Sequence, residues 1–244
     1  MNTFEEKYLN KIQDLFEKYK GKMEDPELNK ILKRNYVYSE VNSSAKILIC
    51  GLNPSFRENQ ENEGGKDPFE PYGFNFHEVV EKDSFYKKRY DLLPIPLASK
   101  ATYIDMLVQR HSNQKDLLKF CSTEKGKSFL AQQLEITKDV VEQLKPSLIL
   151  VFNRFASNFW GLNPKIQADG KFTNIWLGYT FEDNNDGSFT IKKEMLKDSI
   201  GNKKETTLAG TKIYFSKHLD WRVRKEEYGQ ISSTVKDLIS KYGK

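Results

Sequence analysis

Phe4, Tyr8, Ile12 and Phe16 recur at intervals of four, which predicts an amphipathic helix over residues 3–19. Asp25 as cap and Pro26 in the first turn predict a short helix over 26–34. An apolar run at 46–50 then ends abruptly at Gly51-Leu52-Asn53-Pro54-Ser55, the pattern of a buried strand breaking into a loop. Residues 56–72 form a long polar segment with Gly64-Gly65 and two prolines, and a loop of that length inside a domain is often functional. Helical spacing returns over 79–92, and Thr102-Tyr103-Ile104-Asp105-Met106-Leu107-Val108 reads as a second strand. Leu130, Leu134, Val141 and Leu144 form one stripe of a helix over 127–144, which Pro146 stops. The fully apolar run at 147–152 predicts a strand buried on both faces. A short helix at 154–160, a hairpin of strands 174–179 and 188–192 around Asp183-Asn184-Asn185-Asp186-Gly187, a strand at 211–216 and a last helix near 226–242 complete the chain. Alternating strands and helices predict an α/β fold. Its centre would be a mainly parallel four-stranded sheet with helices on both faces, three layers in all.

Composition narrows the class. The chain has 244 residues, enough for one domain with a substantial core, and no internal linker divides it. Residues 1–40 read as a helical cap, 46–222 as the core and 226–243 as a carboxyl-terminal helix. No apolar run has the length of a membrane span, and the first residues lack the basic and apolar parts of a signal peptide. Two cysteines and three histidines exclude a four-cysteine cluster, no paired metal-ligand spacing occurs, and a reducing cytoplasm is expected. A net charge of +5 permits nucleic-acid binding and equally describes a lysine-rich surface.

The candidate chemistry lies where strands end. In open α/β sheets, ligands bind in the crevice at the carboxyl ends of the strands. Asn53 offers an amide that donates and accepts there, Asp105 lies within the second strand, and His218 follows the fourth. Taken in order, five segments resemble the uracil-DNA glycosylase superfamily. Gly51-Leu52-Asn53-Pro54-Ser55 is similar to the first motif of the mismatch-specific and single-strand-selective branches. Gly73-Phe74-Asn75-Phe76 resembles the segment whose aromatic ring stacks on the extruded base. Tyr103 to Arg110 resembles the second-strand segment of the thermostable bacterial branch, and the run from Phe129 to Ala156 resembles that branch's helix, Lys-Pro break and third strand. Phe215-Ser216-Lys217-His218-Leu219-Asp220-Trp221-Arg222 stands where the family carries its His-Pro-Ser motif. Only the histidine of that motif is kept, Asp105 replaces a base-reading asparagine, and the iron–sulfur cysteines of the thermostable branch are missing.

The resemblance implies a monomeric DNA glycosylase without metal or cofactor, acting on uracil or another damaged base in DNA. Asn53 would position the attacking water and His218 would donate a hydrogen bond to the leaving base. Gly51, Leu52, Phe76 and Asp105 would hold that base, with Phe69 as a substitute platform. Phe76 and Phe69 are equally well placed to be core residues. Asp105 is open to three readings: an ionised acceptor for a base amino group, a protonated donor, or a structural acceptor. Trp221 would wedge into the DNA or anchor the strand end. Arg222, Arg224 and Lys225 would hold phosphates, Lys87-Lys88-Arg89 would be a second phosphate contact or a solvated helix face, and Arg154, after the third strand, would face the cleft. Two other classes compete: a nucleic-acid-binding protein that has lost catalysis, and a doubly wound protein binding a small nucleotide. The latter lacks a Gly-x-Gly-x-x-Gly or phosphate loop.

Overall fold

The computed structural model describes residues 3–56, 67–111, 113–162, 165–166, 172–173, 176–197, 199–219 and 223–243. In chain order the elements are α1 (Thr3–Tyr19), α2 (Pro26–Lys33), β1 (Val37–Ser39), β2 (Ile47–Gly51), β3 (Tyr72–Phe74), α3 (Phe76–Val79), α4 (Ser84–Tyr90) and α5 (Ile95–Ala98). Then come β4 (Ala101–Asp105), α6 (Gln114–Cys121), α7 (Glu124–Leu144), β5 (Leu148–Val151), α8 (Arg154–Trp160), β6 (Lys165–Ile166) and β7 (Phe172–Thr173). The chain ends with β8 (Phe181–Asp183), β9 (Ser188–Ile191), β10 (Lys212–Phe215) and α9 (Lys225–Tyr242).

The fold is α/β, built on a six-stranded sheet in the order β4-β2-β5-β10-β9-β8. The first four strands run parallel, and β9 and β8 continue the sheet antiparallel. This corrects the expectation of four strands with a peripheral hairpin. The turn at 183–187 is where the sequence places it, but the strand before it is β8; of the expected run at 174–179, residues 176–179 are irregular and 174–175 lie outside the described residues. Leu177 and Tyr179 of that run are fully buried in irregular chain, so their apolarity reflects packing and not pairing. A separate parallel pair, β1 with β3, also escaped the sequence reading, since three-residue strands carry no periodicity.

Strand residues alternate between two apolar clusters. Leu48, Cys50, Ile104, Ile149, Val151 and Ile213 join residues of α1, α2, α6, α7 and α8. Ile47, Ile49, Tyr103, Leu148 and Leu150 join Phe76, Val79 and the α9 residues Ile231, Val235, Leu238 and Ile239. The strands β2, β4 and β5 are buried throughout, as an all-apolar run on a two-sided sheet requires. The helix expected over 79–92 divides because Asp83 accepts a hydrogen bond from Phe85 N at 2.7 Å and starts α4 afresh. From β2 the chain crosses to β4 on one side and then to β5 on the other. The segments leaving β2 and β5 therefore diverge, and the crevice of this sheet opens between their carboxyl ends.

Candidate functional site at the strand ends

Segments leaving β2 and β4 run side by side. Met106 N donates to Gly51 O (3.1 Å), Leu107 N to Leu52 O (2.9 Å) and His111 N to Pro54 O (3.1 Å). Gly51 and Asp105 are register partners. A Cβ on Gly51 would come within 2.1 Å of both Asp105 Oδ1 and Tyr103 Oη, so glycine is needed here to let a polar pair sit against the backbone. Tyr103 Oη donates to Asp105 Oδ1 at 2.8 Å. Burial pushes the Asp105 carboxyl up to about 7, against the opposing pull of the Tyr103 hydrogen bond and the Arg89 charge. Leu52 is buried, in the cluster with α1 and α7. Asn53 is half-buried and its Nδ2 donates to Pro54 O at 2.8 Å, which fixes the amide plane against its own loop.

His218 follows β10, half-buried, its ring 5.7 Å from that of Phe85. Asn53 and His218 follow β2 and β10, parallel strands with β5 between them, so both lie beyond the carboxyl end of the sheet. Phe76 does not offer a free face. It is 2% exposed and lies in an aromatic block, stacked on Tyr103 (5.6 Å, 19°) and edge-on to Tyr86 and Tyr90. Of the two sequence readings of Phe76, stacking platform or core, its burial against Tyr103 favours the core. Phe69 is the more exposed ring, at 39%, and leans on Phe56 5.3 Å away. Arg34 and Arg110 also lie over the Phe56 ring, at 5.1 and 4.9 Å.

The basic residues divide by environment. Lys87 is exposed and pairs with Asp91. Arg89, in the same run, turns inward and is 1% exposed, its guanidinium 3.5 Å from the centre of the Phe85 ring. The sequence reading took it, with Lys87 and Lys88, as a phosphate contact or part of a solvated face, and its burial excludes the solvated face. The usable signal was its spacing of four from Phe85, which places both on one helix face. Arg154 and Arg224 are exposed, and together with Lys217 they surround Glu227. The Lys217 ammonium bonds to Glu227 and holds that carboxyl below its usual range, with Arg224 and Arg154 adding to the effect. Lys225 opens α9, exposed. Trp221 and Arg222 lie outside the described residues, as does most of the long polar segment.

Asn153, at the carboxyl end of β5, is also new. It accepts from Phe155 N (2.8 Å) and Ala156 N (3.3 Å) and so fixes the start of α8 beside the crevice. Behind the loop after β4, Gln133 Oε1 accepts from Val108 N and Gln109 N, both at 3.2 Å. Gln109 Nε2 lies 2.5 Å from His111 Nε2. Burial holds the His111 ring down at about 3, so it is neutral and accepts from Gln109. A separate concavity of about 290 Å3 lies between α1 and α7, lined by Lys11, Lys18, Glu135 and Asp139 among others, away from the strand ends.

Among the described residues, no group of three or more His, Cys, Asp or Glu side chains is arranged to hold a metal ion, and no helix is long and apolar enough to cross a membrane. The chain matches no model of a known protein family, and no curated protein matches it in sequence.

Proposed function

We propose that the protein is a DNA glycosylase-like enzyme of the three-layer α/β/α kind, which takes a base out of DNA and hydrolyses its bond to deoxyribose. The observation that carries this reading is that Asn53, Asp105 and His218 all lie at the carboxyl ends of the parallel strands β2, β4 and β10, around the switch point between β2 and β5. Water held by Asn53 attacks the anomeric carbon as the C–N bond breaks. An amide is no strong base, but it orients the nucleophile, and orientation supplies much of the rate when the sugar already carries positive charge. His218 donates to the base as negative charge develops on it, and the proton from water passes to the base or to solvent. The exposed cations Arg154, Lys217 and Arg224 offer a phosphate track beside the crevice. Lys225 and, by sequence, Trp221 and Arg222 would extend it.

A second reading is favoured by the aromatic block. With Phe76 buried under Tyr103, Tyr86 and Tyr90, the ring that the resemblance assigns to base stacking is covered, which favours a nucleic-acid-binding protein without catalysis. One experiment separates the two. Single- and double-stranded oligonucleotides carrying uracil, hypoxanthine or xanthine are incubated with the full chain and treated with alkali. Strand breaks that vanish in Asn53→Ala and fall about 10²–10³-fold in His218→Ala support the enzyme. Binding without breaks supports the second reading. In that case each of Lys217→Ala and Arg224→Ala lowers the salt slope by about 0.7–0.9.

A further inference from the structure

Arg89 is a buried cation left incomplete. Its Nη1 donates to Phe85 O at 2.6 Å and reaches Leu219 O at 3.4 Å, while Nε and Nη2 are buried with no partner. Nε–H and Nη2–H are the two parallel donors on one side of a guanidinium, the fork that grips paired acceptors. Leaving such a fork empty inside a protein is costly, and packing alone gives no reason for it. On the same face stands Asp105. Each of the two charges influences the other's ionisation, yet no direct ion pair joins them. Arg89 thus keeps an unfilled two-pronged donor, buried within electrostatic reach of a buried carboxylate acceptor.

We infer that Arg89 and Asp105 read the edge of a 6-oxopurine base, the Arg89 fork taking O6 and N7 and the Asp105 carboxylate accepting the adjacent N1–H. This rests on the reading that the strand ends receive a nucleobase. The chemistry discriminates among bases. The 6-oxopurine edge presents two neighbouring acceptors, the arrangement arginine pairs with bidentately. Uracil has a carbonyl on each side of its N3–H but only C5–H next to O4 where a 6-oxopurine has N7, so it fills half the fork. Adenine turns an amino donor toward the arginine. Phosphate fills the fork but sets its charge against Asp105. Because Arg89 is 1% exposed, the edge is read only after the half-buried Phe85 ring, which lies against the guanidinium, has moved aside.

The test is binding of free hypoxanthine, uracil, adenine and inorganic phosphate to the full chain. It is followed by titration and by the Arg89 Nε–H resonance in nitrogen-15 spectra. Hypoxanthine is expected to shift that resonance and to bind about tenfold or more tighter than uracil or adenine. Arg89→Met should abolish the preference while melting at or above the wild-type temperature, since an uncompensated buried charge has been removed. Arg89→Lys keeps the charge without the fork and serves if the methionine variant does not fold: loss of hypoxanthine binding supports the inference and retention overturns it. Asp105→Asn should lose most of the preference. Equal binding of uracil, binding of phosphate alone, or no binding with water on Nε and Nη2 in a crystal structure overturns it. Hypoxanthine binding without base release from DNA leaves this inference standing and rejects the glycosylase. Release of uracil alone does the reverse.

Discussion

Asp105 makes the stability of this protein depend on pH in a direction opposite to that of most carboxylates. Its folded carboxyl titrates at about 7 against an ordinary 3.8, chiefly because burial disfavours the charged form. Below about pH 4 the acid is neutral in both states and nothing is lost. Between about 4 and 7 the folded protein holds a proton that the unfolded chain has released, so stability falls as pH rises. Above about 7 the full penalty is present and the slope vanishes. A rise of about three units corresponds to a penalty of up to about 4 kcal/mol. Asp105→Asn keeps an oxygen to accept from Tyr103 Oη and carries no charge, so it removes the penalty without removing the contact.

His111 complicates the wild-type curve, because it runs the other way. A neutral imidazole held at about 3 gives stability that is present above pH 6.5 and lost as pH falls toward 3. The two slopes nearly cancel between pH 4 and 6.5, so wild-type stability alone is uninformative there. The difference between Asp105→Asn and wild type isolates the carboxyl. Urea denaturation at pH 5, 6, 7 and 8 should show the variant gaining on wild type by about 3 kcal/mol between the first and last points, with unchanged m-values. A difference that stays constant from pH 5 to pH 8 would refute the reasoning. It would mean that Asp105 is already ionised at pH 5.

Three further outcomes are expected. Gly51→Ala should destabilise by about 3 kcal/mol or more, since its methyl meets both Asp105 Oδ1 and Tyr103 Oη; a melting temperature within a degree of wild type would contradict the packing described. His111→Gln should flatten the acid side, so that its stability relative to wild type improves by up to about 3 kcal/mol between pH 6.5 and 4 in urea titrations. Thr123→Ala should cost about 1 kcal/mol by removing the cap that accepts from Gly126 N at 3.0 Å, seen as a lower denaturation midpoint and faster amide exchange in the first turn of α7.

Long periodic elements were legible in the sequence. The stripe of α1 and that of α7 are where the spacing put them, and Pro26 with Asp25 opens α2 as capping chemistry requires. What misled was apolarity without a ladder. Met106, Leu107 and Val108 read as strand because they are buried, yet after Asp105 their backbones bond to the loop leaving β2 and to Gln133. The strand-end positions of Gly51, Asn53 and His218 were legible, because they follow from element order alone; that of Asp105 was not, since the strand was expected to run on to Val108. The site was not legible at Phe76 and Arg89. Whether a ring faces a crevice or a tyrosine depends on neighbours 10–30 residues away. A basic run by itself does not say which member turns inward, and only the spacing of four from Phe85 set Arg89 apart.

Gly51 can be explained by packing alone, since the Tyr103–Asp105 pair leaves no room for a side chain, so it is no evidence for a ligand. Arg89 and Asp105 are different. A guanidinium with an empty fork and a carboxyl lifted toward neutrality each cost the free protein stability. Were they simply a buried ion pair, the arginine would turn its fork to the acid, and the carboxyl would fall below its ordinary range. The structure has the fork empty and the carboxyl raised. Titration of a carbon-13-labelled Asp105 carboxyl therefore decides between the two accounts. A midpoint near 7 means that the arginine's donors are held for something other than this acid. A midpoint below 4 means that the two neutralise each other, and the strand ends then hold a structural pair and no reading head.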